Sequence, residues 1–119
     1  GLFEASIYID LRRLPELFCG FARVRRQGPT FYPVACSPQA WAATAPLALL
    51  AACLGLSFDP QNRTVIFNRP HLPEFLEEVK LLGLSLGEAR IDIQLRRTGT
   101  DVAVNVLSRT GEIWATTIS

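Results

Sequence analysis

The stretch "PQAWAATAPLALLAACL", Pro38 to Leu54, constrains this chain more than any other. After Gln39 every residue except Thr44 is apolar, so a helix here has no wet face. A surface helix carries one apolar stripe, whereas a helix apolar all round has to be covered on every side. Its ends are well marked. Ser37 is a preferred N-cap, Pro38 is favoured at the first helical position, and Gly55 suits the left-handed residue that closes a helix. Pro46 removes a backbone donor and is expected to kink the helix. The segment is short, rich in Ala and interrupted by Pro, which argues against a membrane span. One other short helix and a small sheet are too little to surround it. The pattern therefore predicts either oligomerisation through residues 38–54 or a place in a larger helical core.

Before this helix, Phe3, Ile7, Leu11 and Leu14 recur at spacings of four and three, which predicts a helix over 2–14 that Pro15 ends. Residues 15–37 read as a long loop, punctuated by prolines and glycines and carrying the basic stretch "RVRRQG". Loops of that length in compact proteins are uncommon and often functional. After Gly55 the period changes to two. "LSFD" and "TVIFN" flank the turn residues "PQNR", "PHLPEF" is a break, and "EVKLLGLSLGE" reads as one or two short strands bent at Gly83 and Gly87. Ile91, Ile93 and Leu95 alternate with Asp92, Gln94 and Arg96, and Val102, Val104 and Val106 alternate with Ala103 and Asn105. With "TGT" and "RTGE" as hairpin turns, this predicts an antiparallel meander with one wet face that ends in "EIWATTIS". The expected class is α+β, with helices and a loop over 1–55 and an antiparallel β domain over 56–119.

Composition limits the functions. With 49% hydrophobic and 19% charged residues the chain is expected to fold, and a formal charge of +1 gives little pull toward nucleic acid or an anionic membrane. Cys19, Cys36 and Cys53 form no CxxC pair and are expected as free, buried thiols in a reducing compartment, hence a cytoplasmic location. The single histidine, His71, lies between two prolines, away from any Cys, so neither a metal site nor a Ser/His/Asp set is expected, and no cofactor. No Gly-rich phosphate loop is present, which ranks a small complete enzyme last. The N-terminus has no basic segment leading into an apolar run, so no signal peptide is expected. The chain holds no Met and opens Gly1-Leu2-Phe3 within an apolar pattern, which suggests a processed or excised segment.

Two pieces in the first third can be read together. "DLRRLPELFCGF", followed across the loop by "YPVACSPQAWAA", resembles bacterial amylo-α-1,6-glucosidase proteins of the glycogen-debranching type, at the end of their catalytic helical barrel. More distantly, the order of a glutamate, a loop, small residues and a Trp-bearing helix is similar to glucoamylase-type (α/α)6-barrel hydrolases. The resemblance covers roughly residues 1–55 and weakens through the β half. It implies that the N-terminal helices come from the end of an (α/α) barrel, followed by a small antiparallel β domain. It also implies an α-glucan substrate and an inverting mechanism with Glu16 as general base. Such a mechanism pairs a proton-donating carboxyl with a second carboxylate, roughly 6.5–9.5 Å away, that activates water. The general acid is expected outside this chain, because Glu74, Glu77, Glu78, Glu88 and Glu112 fall in the part assigned outside the barrel cleft.

Tyr32 and Trp41 could stack on sugar rings, although for Trp41, on an all-apolar helix, a place in the core is the stronger reading. Gln39 could meet a substrate hydroxyl or bond the loop backbone. Arg13, with Arg12, could anchor a carboxylate such as that of Glu16 or complement the helix dipole. Cys36 is expected to pack. "RVRRQG" reads as a solvated loop, since no interleaved aromatics support nucleic-acid binding. The alternative to a hydrolase segment is a non-catalytic β-sandwich binding or assembly module that oligomerises through residues 38–54.

Overall fold

The computed structural model describes residues 1–119. It has an α+β architecture: two helices, α1 (Leu2–Ser6) and α2 (Ala40–Cys53), then six strands in two three-stranded sheets. The chain divides into two compact units, 1–49 and 50–119, and the division falls inside α2.

In the first unit the expected helix over 2–14 is cut short. α1 ends at Ser6, a 3₁₀ turn covers Asp10–Arg12, and Leu11 and Arg12 adopt φ of +53° and +55°. Ile7 and Leu11 are exposed, while Ile9 and Leu14 are buried, so the four-residue stripe never forms. The cause is local. Ser6 returns its hydroxyl to the Phe3 carbonyl at 2.7 Å, and Ile7, Tyr8 and Ile9 are poor helix formers. A helix this short needs a packed face to persist, and the stripe finds none.

The loop is longer than 15–37 and largely irregular, with one isolated bridge between Phe18 and Phe31 and a 6.5 Å ring contact between them. α2 starts at Ala40, two residues later than the Ser37-Pro38 signal. Gln39 takes the N-cap position, its carbonyl accepting the Ala43 N–H at 2.8 Å. The helix continues through Pro46, and Gly55 takes the left-handed conformation at its end, φ +56°, as its position predicts. None of the 14 residues of α2 is buried; Trp41 and Leu47 are 67% and 69% exposed.

In the second unit the two expected strands, β1 (Leu56–Asp59) and β2 (Thr64–Asn68), pair antiparallel as a hairpin. Asp59 builds its turn: its carboxylate accepts the Gln61 and Asn62 backbone N–H groups at 3.1 Å and the Asn62 amide at 2.7 Å. β3 (Glu78–Leu86) is one nine-residue strand, and Gly83 bulges it rather than ending it. β3, β4 (Ala89–Thr98) and β5 (Asp101–Thr110) form the antiparallel meander. The alternation of β4 is as read: Ile91, Ile93 and Leu95 are buried, and Asp92, Gln94 and Arg96 are not.

The last strand departs from the sequence reading. "RTGE" closes no hairpin, because β6 (Trp114–Ile118) leaves the meander and pairs parallel with β2, giving the order β1-β2-β6. Val65 and Phe67 of β2 meet Ile91, Ile93 and Leu95 of β4 in one core, joined by Leu54, Leu72 and Ile113. Switching sheets brings Ile113 into that core, fully buried, where a simple hairpin would have left it beside β5. The "PHLPEF" break is organised by Arg97, whose guanidinium donates to the carbonyls of Leu72, Pro73 and Leu76 at 2.7, 2.6 and 3.0 Å.

Candidate functional site

Three hydrogen bonds join the two ends of the loop. The Glu16 N–H donates to the Cys36 carbonyl at 2.9 Å, the Cys36 N–H donates to Glu16 Oε2 at 3.4 Å, and the Gln39 N–H donates to the Leu14 carbonyl at 3.4 Å. "LPELFCG" and "CSPQAW" are thereby held side by side at the start of α2. Pro15 is buried and Leu14 is 3% exposed, which fixes the backbone on which Glu16 sits half-buried. Only Oε2 of its carboxylate is engaged, so Oε1 is left to accept from another donor.

The other candidates divide. Gln39 shares the joint with Glu16, but its Oε1 accepts the Ala40 N–H at 3.3 Å, which is the backbone role. Arg13 does not pair with Glu16, nor does Arg12; the ion pairs are Arg23–Glu4, Arg63–Glu112 and Lys80–Glu78. Arg13 instead lines a cleft of about 230 Å³ with Tyr8, Asp10, Phe31 and Pro38. Tyr32 and Trp41 are exposed and line neither this cleft nor the larger one in the unit. Exposure rules out Trp41 as core within this chain. The thiols are free, but Cys36 is exposed and Cys19 and Cys53 are half-buried, so the expectation that they are buried, and that Cys36 packs, does not hold.

The larger cleft, about 390 Å³, lies between α1 and residues 19–30. The Arg23–Glu4 pair stands on its wall; its hydrogen bond, and then its charge, hold the Glu4 carboxyl below the usual range. Gly28 closes against the Tyr8 ring, where a Cβ would lie 2.9 Å from Cγ. No sequence signal points to this cleft, because Glu4 and Arg23 lie far apart in the chain and "RVRRQG" reads as uniformly solvated.

No group of three or more His, Cys, Asp or Glu side chains is placed to hold a metal ion, and no helix is long and apolar enough to cross a membrane. No known protein family, curated protein or solved structure matches the chain.

Proposed function

We propose that this chain is the C-terminal segment of a glycogen-debranching-type glycoside hydrolase acting on α-1,6 bonds of α-glucan, with Glu16 as the base of an inverting mechanism. The observation that carries this reading is the joint at Glu16. The two sequence pieces on which the resemblance rests are hydrogen-bonded together, and a half-buried carboxylate with one open oxygen sits between them. A general base needs that arrangement: one oxygen held by a backbone donor to set its direction, the other free to take a proton from water. The acid partner comes from elsewhere in the parent protein, as does the cover for α2, which belongs among the helices of the (α/α) barrel. The chain alone is inactive in this reading, takes no cofactor, and acts in the cytoplasm.

The test is made in the parent enzyme. Glu16→Gln keeps an acceptor for the Cys36 N–H but cannot take a proton, so kcat for glucose release from a branched glucan is expected to fall about 10²–10⁴-fold. Unchanged melting would show that folding is intact, and near-normal turnover would remove Glu16 from the mechanism. The exposure of Trp41 and Leu47 favours a second reading, an assembly module that oligomerises through α2. An immunoblot of source cells separates the two: a band several times larger than 13.2 kDa supports the hydrolase, and one at 13.2 kDa supports the module.

A further inference from the structure

We infer that the open edge of β6 is a strand-addition site whose occupant is β6 of a second copy of the chain, paired antiparallel about a two-fold axis at Thr116. β6 pairs with β2 alone, so one side of it has no strand beside it. The Trp114 N–H donates to the Arg63 carbonyl at 2.9 Å, and the Ile118 carbonyl accepts the Arg69 N–H at 2.7 Å, so both residues turn backbone groups toward β2. Backbone groups alternate sides along a strand. Thr116 therefore also faces β2, while the N–H and C=O of Ala115 and Thr117 point out of the open edge.

The other edges are blunted. β3 carries Glu78 and Lys80 and bulges at Gly83, where φ is +70°. β5 bears Asp101 and Arg109, and its register shifts opposite Asp92 and Ile93. β1 is the shortest strand and ends in the Asp59 turn. Charges, bulges and short length are what keep natural edges from pairing. β6, read as "WATTI", has no charge, no proline and no register shift.

This edge fits its own copy. With Thr116 opposite itself, Ala115 of each chain lies opposite Thr117 of the other, and these are the residues whose N–H and C=O point outward. Each such pair exchanges both of its hydrogen bonds, as a hydrogen-bonded antiparallel pair requires. The same register sets Trp114 opposite Ile118 of the partner subunit on one face, a favoured cross-strand combination of an aromatic and a β-branched side chain. The two residues are 53% and 49% exposed in the single chain. The Arg109 guanidinium carbon, 4.2 Å from the Trp114 ring centroid, already holds the indole, which limits the rotamer freedom lost on pairing. A shift of one residue would oppose outward-pointing groups to inward-pointing ones, and a shift of two would separate Trp114 from Ile118. Association joins the two sheets in the order β1-β2-β6-β6-β2-β1. It closes on itself, because β1 then forms both ends. The pairing rests on the sheet alone and is independent of the role proposed for Glu16.

Sedimentation of the chain carrying Leu47→Lys, which takes the α2 contact away, tests this. A concentration-dependent dimer at micromolar concentration is expected. Adding Thr117→Pro removes an N–H that points away from β2, so the far-ultraviolet circular dichroism should stay the same while the dimer is lost. Thr116→Lys and Thr116→Glu, both exposed changes, each set like charges opposite one another at the axis. Either alone should weaken the dimer severalfold, and an equimolar mixture of the two should restore it. A monomer at every concentration overturns the inference, as does a dimer that Thr117→Pro and Thr116→Lys both leave intact. A mixture of the two charged variants that dimerises no better than either alone refutes the axis at Thr116.

Discussion

Gly55→Ala is the substitution whose cost can be worked most directly. Gly55 ends α2 with φ +56°, and its carbonyl accepts the Asn68 N–H at 3.0 Å, drawing the end of β2 against it. A Cβ there would lie 1.9 Å from the Asn68 carbonyl oxygen, 2.7 Å from its carbon and 2.9 Å from its nitrogen. All three are backbone atoms, so no side-chain rotation relieves the contact. Two costs combine: about 1–2 kcal/mol for an L-residue held left-handed, and about 1–3 kcal/mol for forcing extra volume into packed structure. The second is felt in the core, because β2 carries the fully buried Val65 and Phe67. At roughly 4–8 °C per kcal/mol for a unit of this size, Tm should fall by about 10 °C or more. Gly99→Ala is the control. Gly99 has φ +65° but nothing within 4 Å of its added Cβ, so it bears the first cost alone. Thermal melts of both variants by circular dichroism decide the matter: if Gly55→Ala melts no lower than Gly99→Ala, the close approach of Gly55 to Asn68 is refuted.

Arg97→Met keeps the stem of the side chain but orphans the carbonyls of Leu72 and Leu76, while that of Pro73 keeps the Leu76 N–H, and should lower the unfolding free energy in urea by about 2–3 kcal/mol; a loss no larger than that of an exposed Arg96→Met would show that the loop holds without it. Asp92 accepts the Gly83 N–H and then the Ser108 hydroxyl, which hold its carboxyl below the ordinary range. A depressed folded pKa contributes stability that is present above the unfolded value, about 4, and is lost as pH falls through the folded value. The urea midpoint of the wild type should therefore fall further on acidification below about pH 4 than that of Asp92→Asn, and equal falls would remove Asp92 from the acid response. The isolated chain should self-associate through residues 38–54, with Leu47→Lys shifting sedimentation toward the monomer; a wild-type chain that sediments as a monomer at all concentrations would contradict this.

The β half was legible because each strand carries its own signal. The alternation in β4 follows from a sheet with one buried face, and Asp59-Pro60-Gln61-Asn62 supplies a turn that its own side chains build. The partner of β6 was not legible, since parallel pairing with β2 is a long-range choice and "RTGE" is as good a link between sheets as a hairpin. In the N-terminal unit, periodicity misled. Phe3, Ile7, Leu11 and Leu14 have helical spacing, but spacing specifies a helix only where something packs on the stripe, and here local preferences at Ser6 to Ile9 prevail. Glu16 is a candidate by its motif alone; its pairing with Cys36 joins residues across a twenty-residue loop, which no local pattern encodes.

α2 has the composition of a buried helix and the surroundings of a surface one, and magnitudes decide what that implies. Burying a side chain such as Leu47 or Leu49 contributes about 1.5–3 kcal/mol, and Trp41, Leu47 and Leu49 are all exposed. Association of two copies recovers that from both but loses about 4–15 kcal/mol of translational and rotational freedom. The two terms are of similar size, so dimerisation through α2 would be weak and would depend on concentration. Packing against other helices of one longer chain carries no such association cost, and the same burial would count in full. The proposed barrel setting therefore uses this helix more effectively than self-association does. Sedimentation separates the two. Weak, concentration-dependent association fits a helix whose native cover is elsewhere, whereas a tight dimer at nanomolar concentration would show that α2 is built to meet its own copy.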